Sequence, residues 1–315
     1  MDSVYVTRNL PEPALRPLSE SFEVRIWQGD DPVPRDELIS GIDGCVGLLC
    51  MLTDDVDADL LSHAPSLRVV SQMAVGVDNI DVEECQRRGI VVGHTPGVLT
   101  ETVADTAFAL LGAIVRRLPE GEKVVREGRW GPWSPSFLNG GDLHGTTLGI
   151  VGMGRIGRAV ARRARGFDME ILYSSPSPKP EAPGEHIDLS VLLRSADHVL
   201  LSVALTPETR HLIGSAELEK MPQGSYLVNV SRGPVVDTDS LVEALRTGSI
   251  AGAALDVTDP EPLPPDHPLL DLSNCLVVPH IASSSVATRH AMADLAVSNL
   301  LAGLEGGPMP ARYQP

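Results

Sequence analysis

Three residues far apart in the chain stand where a site would need them. Arg232 follows the apolar run YLVNV, Glu261 follows ALDV across Thr258–Pro260, and His280 follows CLVV. Each lies at the carboxyl end of a strand candidate, and in an open α/β sheet those ends line the ligand crevice. A guanidinium fork can anchor a carboxylate and an adjacent carbonyl oxygen. An imidazole can deliver a proton near neutral pH. A carboxylate beside it favours imidazolium and fixes the ring. Together these serve the reduction of a 2-keto acid to its 2-hydroxy acid. Taken singly, Arg232 could be a surface cation and His280 a satisfied core histidine. Flanking Asn229-Val230-Ser231 and Gly233, the bracketing Pro260 and Pro262, and Ser283–Ser285 favour chemistry. His94, His144, His211 and His267 have no comparable partners in the sequence and read as structural.

A second constellation is Gly152-Met153-Gly154-Arg155-Ile156-Gly157, a GxGxxG between the strand TLGIV and a helix from Arg158. In that setting Gly152 permits a tight turn, Gly154 lets a pyrophosphate approach the backbone, and Gly157 allows close helix–strand packing. The helix N-terminus offers free N–H groups to the phosphates. A site preferring NAD places an acid about 20 residues on to hold the ribose 2′-hydroxyl. Here the strand ends Leu172-Tyr173-Ser174-Ser175, with Lys179 close by and no carboxylate before Glu181. Ser174, Ser175 and Lys179 suit a 2′-phosphate, so NADP(H) is expected, with NAD(H) as the alternative.

Positioning such residues takes a parallel sheet. In residues 1–100, SVYVTR, FEVRIWQ, GCVGLLCML, LRVVSQMAV and GIVVGHT alternate with polar or helical connectors, a β–α series. TLGIVGMG, MEILYS, HVLLSVAL, GSYLVNVS, AGAALDV and CLVVPHI form a second series. Two long apolar helices, Thr100 to about Arg117 and Val286 to Leu304, bracket it, as a chain needs to leave one domain and return. We therefore expect two Rossmann-like, doubly wound α/β domains with the active site in the interdomain cleft: residues 1–100 with 286–315 for substrate, and 101–285 for the dinucleotide. Between them 126–143 is rich in Gly, Pro and Trp; Trp130, Trp133 and Phe137 there suit an arm packed on another subunit.

The 315 residues carry a net charge of −17, 43% hydrophobic and 21% charged. That balance argues against nucleic-acid and anionic-membrane partners. An acidic envelope repels a keto-acid anion, so the site must concentrate positive charge. There is no signal peptide and no spanning apolar run, which points to the cytoplasm. Cys45, Cys50, Cys85 and Cys275 lack zinc-ligand spacing and read as buried, inert thiols; no metal site is indicated.

The stretches MAVGVDNID (73–81), GIVGMGRIG (149–157), NVSRGPVVD (229–237), ALDVTDPEPLPPDHPLL (254–270) and PHIASSS (279–285) resemble the D-isomer-specific 2-hydroxyacid dehydrogenases, and within them the glyoxylate/hydroxypyruvate reductases. They span nearly the whole chain in the family's order. The resemblance implies that Arg232 binds substrate, Glu261 assists and His280 donates the proton. It implies that the Val75-Gly76 backbone grips the substrate carboxylate, that Ser283 lies near the nicotinamide ring and Asp256 near its carboxamide, and that Ala204, Thr209 and Val230 flank the cofactor. It implies a homodimer whose arm, at about 118–145, carries Trp133 to the partner's site. Two positions depart: Asp105 stands where the family often has Glu, and Phe137 where it often has Trp. Rival readings are the same chemistry on D-lactate, phosphoglycerate, formate or phosphite, and a nucleotide-sensing co-repressor on this fold.

Overall fold

The computed structural model describes residues 1–29 and 31–314. It divides into two compact units, Met1–Leu99 with Ser284–Pro315, and Thr100–Ser283.

The first unit holds five parallel strands: β1 (Ser3–Val6), β2 (Glu23–Ile26), β3 (Cys45–Cys50), β4 (Val69–Gln72) and β5 (Val91–Gly93). Their order across the sheet is β2-β1-β3-β4-β5. β3 and β4 are buried almost throughout, as expected of central parallel strands covered on both faces. The helix Val286–Leu304 packs on β3, β4 and β5. Its buried Asn299 donates to the His94 carbonyl (2.8 Å), and the Ser71 hydroxyl on β4 donates to the Ala296 carbonyl (2.7 Å). The C-terminal helix is thus keyed to the sheet by polar groups as well as by apolar packing.

The second unit holds β6 (Thr147–Val151), β7 (Glu170–Ser174), β8 (Glu185–His186), β9 (His198–Leu201), β10 (Tyr226–Asn229), β11 (Gly252–Leu255) and β12 (Cys275–Val277). The order is β12-β11-β10-β9-β6-β7-β8, all parallel. Strand order reverses between β6 and β9, the switch point at which doubly wound sheets bind ligands. The GxGxxG sits at the end of β6.

The structure corrects the sequence reading in three places. β8 was not foreseen, because two residues at a sheet edge carry no apolar alternation. The helix expected to reach Arg117 covers Thr100–Val115. Arg117 adopts a left-handed φ of 53° and a new helix, Leu118–Arg126, starts with a proline in its first turn. Proline is tolerated there because its missing N–H would have no intrahelical partner. The third concerns the thiols: Cys45, Cys50 and Cys85 are buried but Cys275 only partly so. Burial pushes all four up, Cys85 and Cys275 to about 12.

Asp105 donates no geometry of its own to the helix but accepts from the Arg163 guanidinium at 2.6 Å, while Glu101 one turn earlier pairs with Arg162 and Arg163. The shorter acid therefore still reaches a cation. Among the described residues no helix is long and apolar enough to cross a membrane, and no group of His, Cys, Asp or Glu is placed to hold a metal ion.

The β6 core is packed to the point of excluding a methyl group. A Cβ on Gly149 would lie 2.5 Å from Leu192 Cδ2 and 2.9 Å from Ala196 Cβ. Gly149→Ala is expected to lower unfolding stability by about 1–3 kcal/mol, the usual cost of overpacking. Urea denaturation of the two proteins measures it, and an unchanged midpoint would refute this packing.

Candidate functional site

The loop after β10 is shaped by Asn229, which is 1% exposed. Its Oδ1 accepts from the Ser231 N–H (3.0 Å) and hydroxyl (2.6 Å), and its Nδ2 donates to the Arg232 carbonyl (2.9 Å). These bonds fold the strand end into a turn that presents Arg232, whose guanidinium also donates to the Ser231 carbonyl at 2.9 Å. Gly233 comes next. A Cβ there would stand 1.9 Å from the Thr258 carbonyl oxygen, so only glycine lets this turn press against the loop that carries Glu261.

That second loop is also tied down. Thr238 Oγ1 donates to the Asp259 carbonyl (2.9 Å) and Thr258 Oγ1 to the Pro260 carbonyl (2.8 Å). Both prolyl bonds flanking Glu261 are cis. Glu261 Oε1 lies 2.7 Å from His280 Nδ1, and Oε2 accepts from the Thr258 N–H at 3.3 Å. A carboxylate only accepts, so Nδ1 carries the proton and Nε2 is the nitrogen left for other work.

His280 itself has φ 52°, a conformation that costs a non-glycine residue about 1–3 kcal/mol and is often found at functional sites. Asp256, at the end of β11, holds it there. The His280 N–H donates to the Asp256 carbonyl (2.8 Å), and the Asp256 carboxylate accepts from the N–H groups of Ile281 (2.7 Å) and Ala282 (3.0 Å). Asp256 is 2% exposed. Burial pushes its carboxyl up, against the amide hydrogen bonds that pull it down. The family resemblance places Asp256 near the nicotinamide carboxamide; in the structure its contacts also clamp the His280 turn.

Partial burial also pushes Glu261 up, but the hydrogen bond and charge of His280, the Thr258 amide and the Arg232 charge outweigh it. The carboxyl rests below its ordinary value. The charges of His280 and Arg232 thus both act on Glu261. His280, Glu261, Asp256 and Leu263 line a cavity of about 360 Å3 within this unit.

The glycine loop can be tested for the cofactor by geometry. Gly152 has φ 97°, and a Cβ there would meet the Ser202 carbonyl at 2.8 Å. A Cβ on Gly157 would lie 2.2 Å from the Gly152 carbonyl oxygen, whereas one on Gly154 would meet nothing within 4 Å. Only the middle glycine faces open space, as a pyrophosphate-binding turn requires. The helix Arg155–Arg165 begins at Gly154 with no side-chain cap, so its first N–H groups, those of Arg155 and Ile156 among them, are available to an anion. These residues fit a dinucleotide.

After β7 the loop folds back on Tyr173, a residue the sequence reading passed over. Its hydroxyl accepts from the Lys179 N–H at 2.9 Å. The Lys179 ammonium rests 3.2 Å from Ser177 Oγ, and Arg158 reaches the Pro180 carbonyl at 3.4 Å. Two cations thus attend this loop, and the second could have been found by counting one helical turn past Gly154. Ser174 accepts the Gly152 N–H at its carbonyl (2.9 Å), while the Ser175 hydroxyl donates to the Ser177 carbonyl (2.7 Å). Thr209 spends its hydroxyl on the Ala204 carbonyl at 2.7 Å and on Thr206, so it shapes that loop. Val230 is buried with its N–H on the Leu201 carbonyl, and Ser283 ends the unit, partly exposed.

Val75 and Gly76 belong to the first unit, after β4. Trp133 is 86% exposed on the arm with Trp130 and Phe137, and it does not line the cavity beside His280.

The family model for the NAD-binding domain of D-isomer specific 2-hydroxyacid dehydrogenases matches residues 108–282. The chain belongs to that family. Its members are oxidoreductases with a nicotinamide cofactor, and this chain is an enzyme of that kind. A glyoxylate reductase of Thermofilum pendens is 48% identical over 98% of this chain and 93% of its own. A crystal structure of a Thermus thermophilus protein superposes with a TM-score of 0.94 at 48% identity, covering 99% of this chain and 100% of that one. The NADPH-dependent glyoxylate/hydroxypyruvate reductase of Sinorhizobium meliloti, crystallised with NADP and malonate, gives a TM-score of 0.87 at 36% identity, covering 99% and 96%.

A carboxyl held below its ordinary value stabilises the fold above the carboxylate range and loses that contribution as pH falls through it. Glu261→Gln is therefore expected to destabilise the protein at neutral pH, with the difference from wild type shrinking as pH falls through and below the ordinary glutamate value. Denaturation at a series of pH values measures it; a difference independent of pH would contradict the pairing.

Proposed function

We propose that this chain is an NADPH-preferring reductase of small 2-keto acids, taking glyoxylate to glycolate and hydroxypyruvate to D-glycerate. The observation that carries the reading is the 2.7 Å pair of His280 Nδ1 and Glu261 Oε1, with the charge of Arg232 acting on the same carboxylate.

The Arg155–Arg165 helix N-terminus and Gly154 would receive the pyrophosphate, with Ser174, Ser175 and Lys179 at the adenosine ribose; bound there, the nicotinamide supplies a hydride to the keto carbon. Arg232 binds the substrate carboxylate and keto oxygen and polarises the carbonyl. Glu261 keeps the His280 ring oriented through Nδ1, and Nε2 gives a proton to the oxygen as negative charge develops there. The amides of Val75 and Gly76 also receive the carboxylate. Ser283, Ala204 and Val230 keep the places beside the cofactor that the family likeness gives them. In a net −17 protein this local concentration of donors and cations is what admits an anion. The exposed Trp130, Trp133 and Phe137 support a homodimer whose arm carries Trp133 to the partner's site.

Steady-state assays of glyoxylate, hydroxypyruvate and pyruvate with NADPH and NADH test the assignment. Glyoxylate and hydroxypyruvate with NADPH should give the highest kcat/KM; negligible turnover on all three would overturn it. His280→Ala should lower turnover by ~10²–10⁴ while leaving cofactor affinity unchanged. Loss of cofactor binding in that variant would mean the residue is structural. Lys179→Ala should raise KM for NADPH but not for NADH, and equal effects on both would remove the 2′-phosphate from this loop.

A further inference from the structure

His94 has no part in the trio, and its sequence surroundings offer it no acid. In the structure its Nδ1 stands 2.9 Å from the Val75 carbonyl oxygen. The neighbouring carbonyls are tied as well: Ala74 O accepts from the Thr95 N–H at 2.8 Å, and Gly76 O from Gln72 Nε2 at 3.3 Å. A trans peptide is planar, and its N–H points opposite to its C=O. Fixing the carbonyls of Ala74, Val75 and Gly76 therefore fixes the directions of the N–H groups of Val75, Gly76 and Val77. His94 governs the middle one, the Gly76 N–H.

The residue is built for that task. A carbonyl oxygen only accepts, so Nδ1 must carry the proton. The histidine backbone is pinned from both sides, its N–H on the Ala311 carbonyl (3.1 Å) and its carbonyl on Asn299 Nδ2 (2.8 Å). Tyr313 meets the ring edge-on, centroids 5.3 Å apart at 89°. Gln72, which is fully buried, is itself oriented by Asn79 Oδ1 at 2.6 Å, and Asn79 bonds the carbonyls of Met51 and Asp54. Val75 and Gly76 are partly exposed while the four residues before them are buried. A buried polar frame thus surrounds one accessible peptide.

We propose that His94 is a positioning residue for substrate, setting carboxylate affinity by holding the Val75–Gly76 peptide so that its N–H faces the ligand. This rests on the reading that those amides receive the carboxylate. His94 touches no reacting atom, so its loss changes binding and spares the proton transfer.

Three variants and an unreactive carboxylate test it. Oxalate is titrated calorimetrically into the NADPH-bound enzyme, and KM and kcat are measured with glyoxylate. His94→Leu is expected to weaken oxalate binding and raise the glyoxylate KM by roughly 3- to 10-fold, the worth of one hydrogen bond, with kcat and NADPH affinity unchanged. His94→Asn, whose amide nitrogen can stand near the place of Nδ1, should restore both constants. His94→Gln, a methylene longer, should not. Unchanged oxalate affinity in His94→Leu would overturn the proposal. If His94→Leu is thermally unstable, the Asn and Gln variants decide, and equal affinities in those two would overturn it likewise. Should the wild type bind oxalate yet reduce no keto acid, the functional reading fails while the oxalate titrations still decide the role of His94.

Discussion

The arrangement around His280 depends on the buried carboxylate of Asp256. That group accepts the N–H groups of Ile281 and Ala282 while its own carbonyl takes the N–H of His280. Three bonds from one residue hold a histidine in left-handed backbone and so aim its ring at Glu261. The Nδ1–Oε1 pair at 2.7 Å is made by the ring so placed. Asp256 sits in turn at the end of a buried parallel strand. The reactive geometry is therefore an extension of the sheet.

Glycines do the complementary work of letting segments approach. Gly233 brings the Arg232 turn against the Glu261 loop at a distance that any side chain would forbid, and Gly157 does the same for the helix beside the phosphate turn. Both contacts are with backbone carbonyls, which cannot rotate aside as a flexible side chain would. The loops that carry Arg232, Glu261 and His280 follow the adjacent strands β10, β11 and β12, which brings residues distant in sequence to one edge of the sheet.

Much of this was legible in the sequence, for identifiable reasons. Strand candidates showed as apolar β-branched runs, and Arg232, Glu261 and His280 each follow a run that the structure makes a strand. GxGxxG was expected between strand and helix, and the structure places it between β6 and the helix Arg155–Arg165. What stayed hidden depended on partners distant in the chain or on conformations with no compositional signature. The short edge strand β8 has no pattern of its own. The break at Arg117 is a backbone choice by a residue that commonly continues a helix. Asp256 reads as one more acid until its carboxylate is seen on two amides. Tyr173 reads as a core aromatic until its hydroxyl is seen on the Lys179 backbone. His94 looked structural because its partner is a carbonyl, which every residue has.

The first unit is assembled from both ends of the chain, residues 1–99 and the stretch from Ser284 onward. Its central strands β3 and β4 are synthesised long before the helix that covers them: Ala296, whose carbonyl meets Ser71, lies 225 residues further along the chain. During translation the sheet face under this helix stays uncovered until residues 286–304 are made, by which point the continuous unit 100–283 already has its strands. That order leaves an apolar sheet face uncovered during synthesis, the kind of surface through which partly folded chains associate.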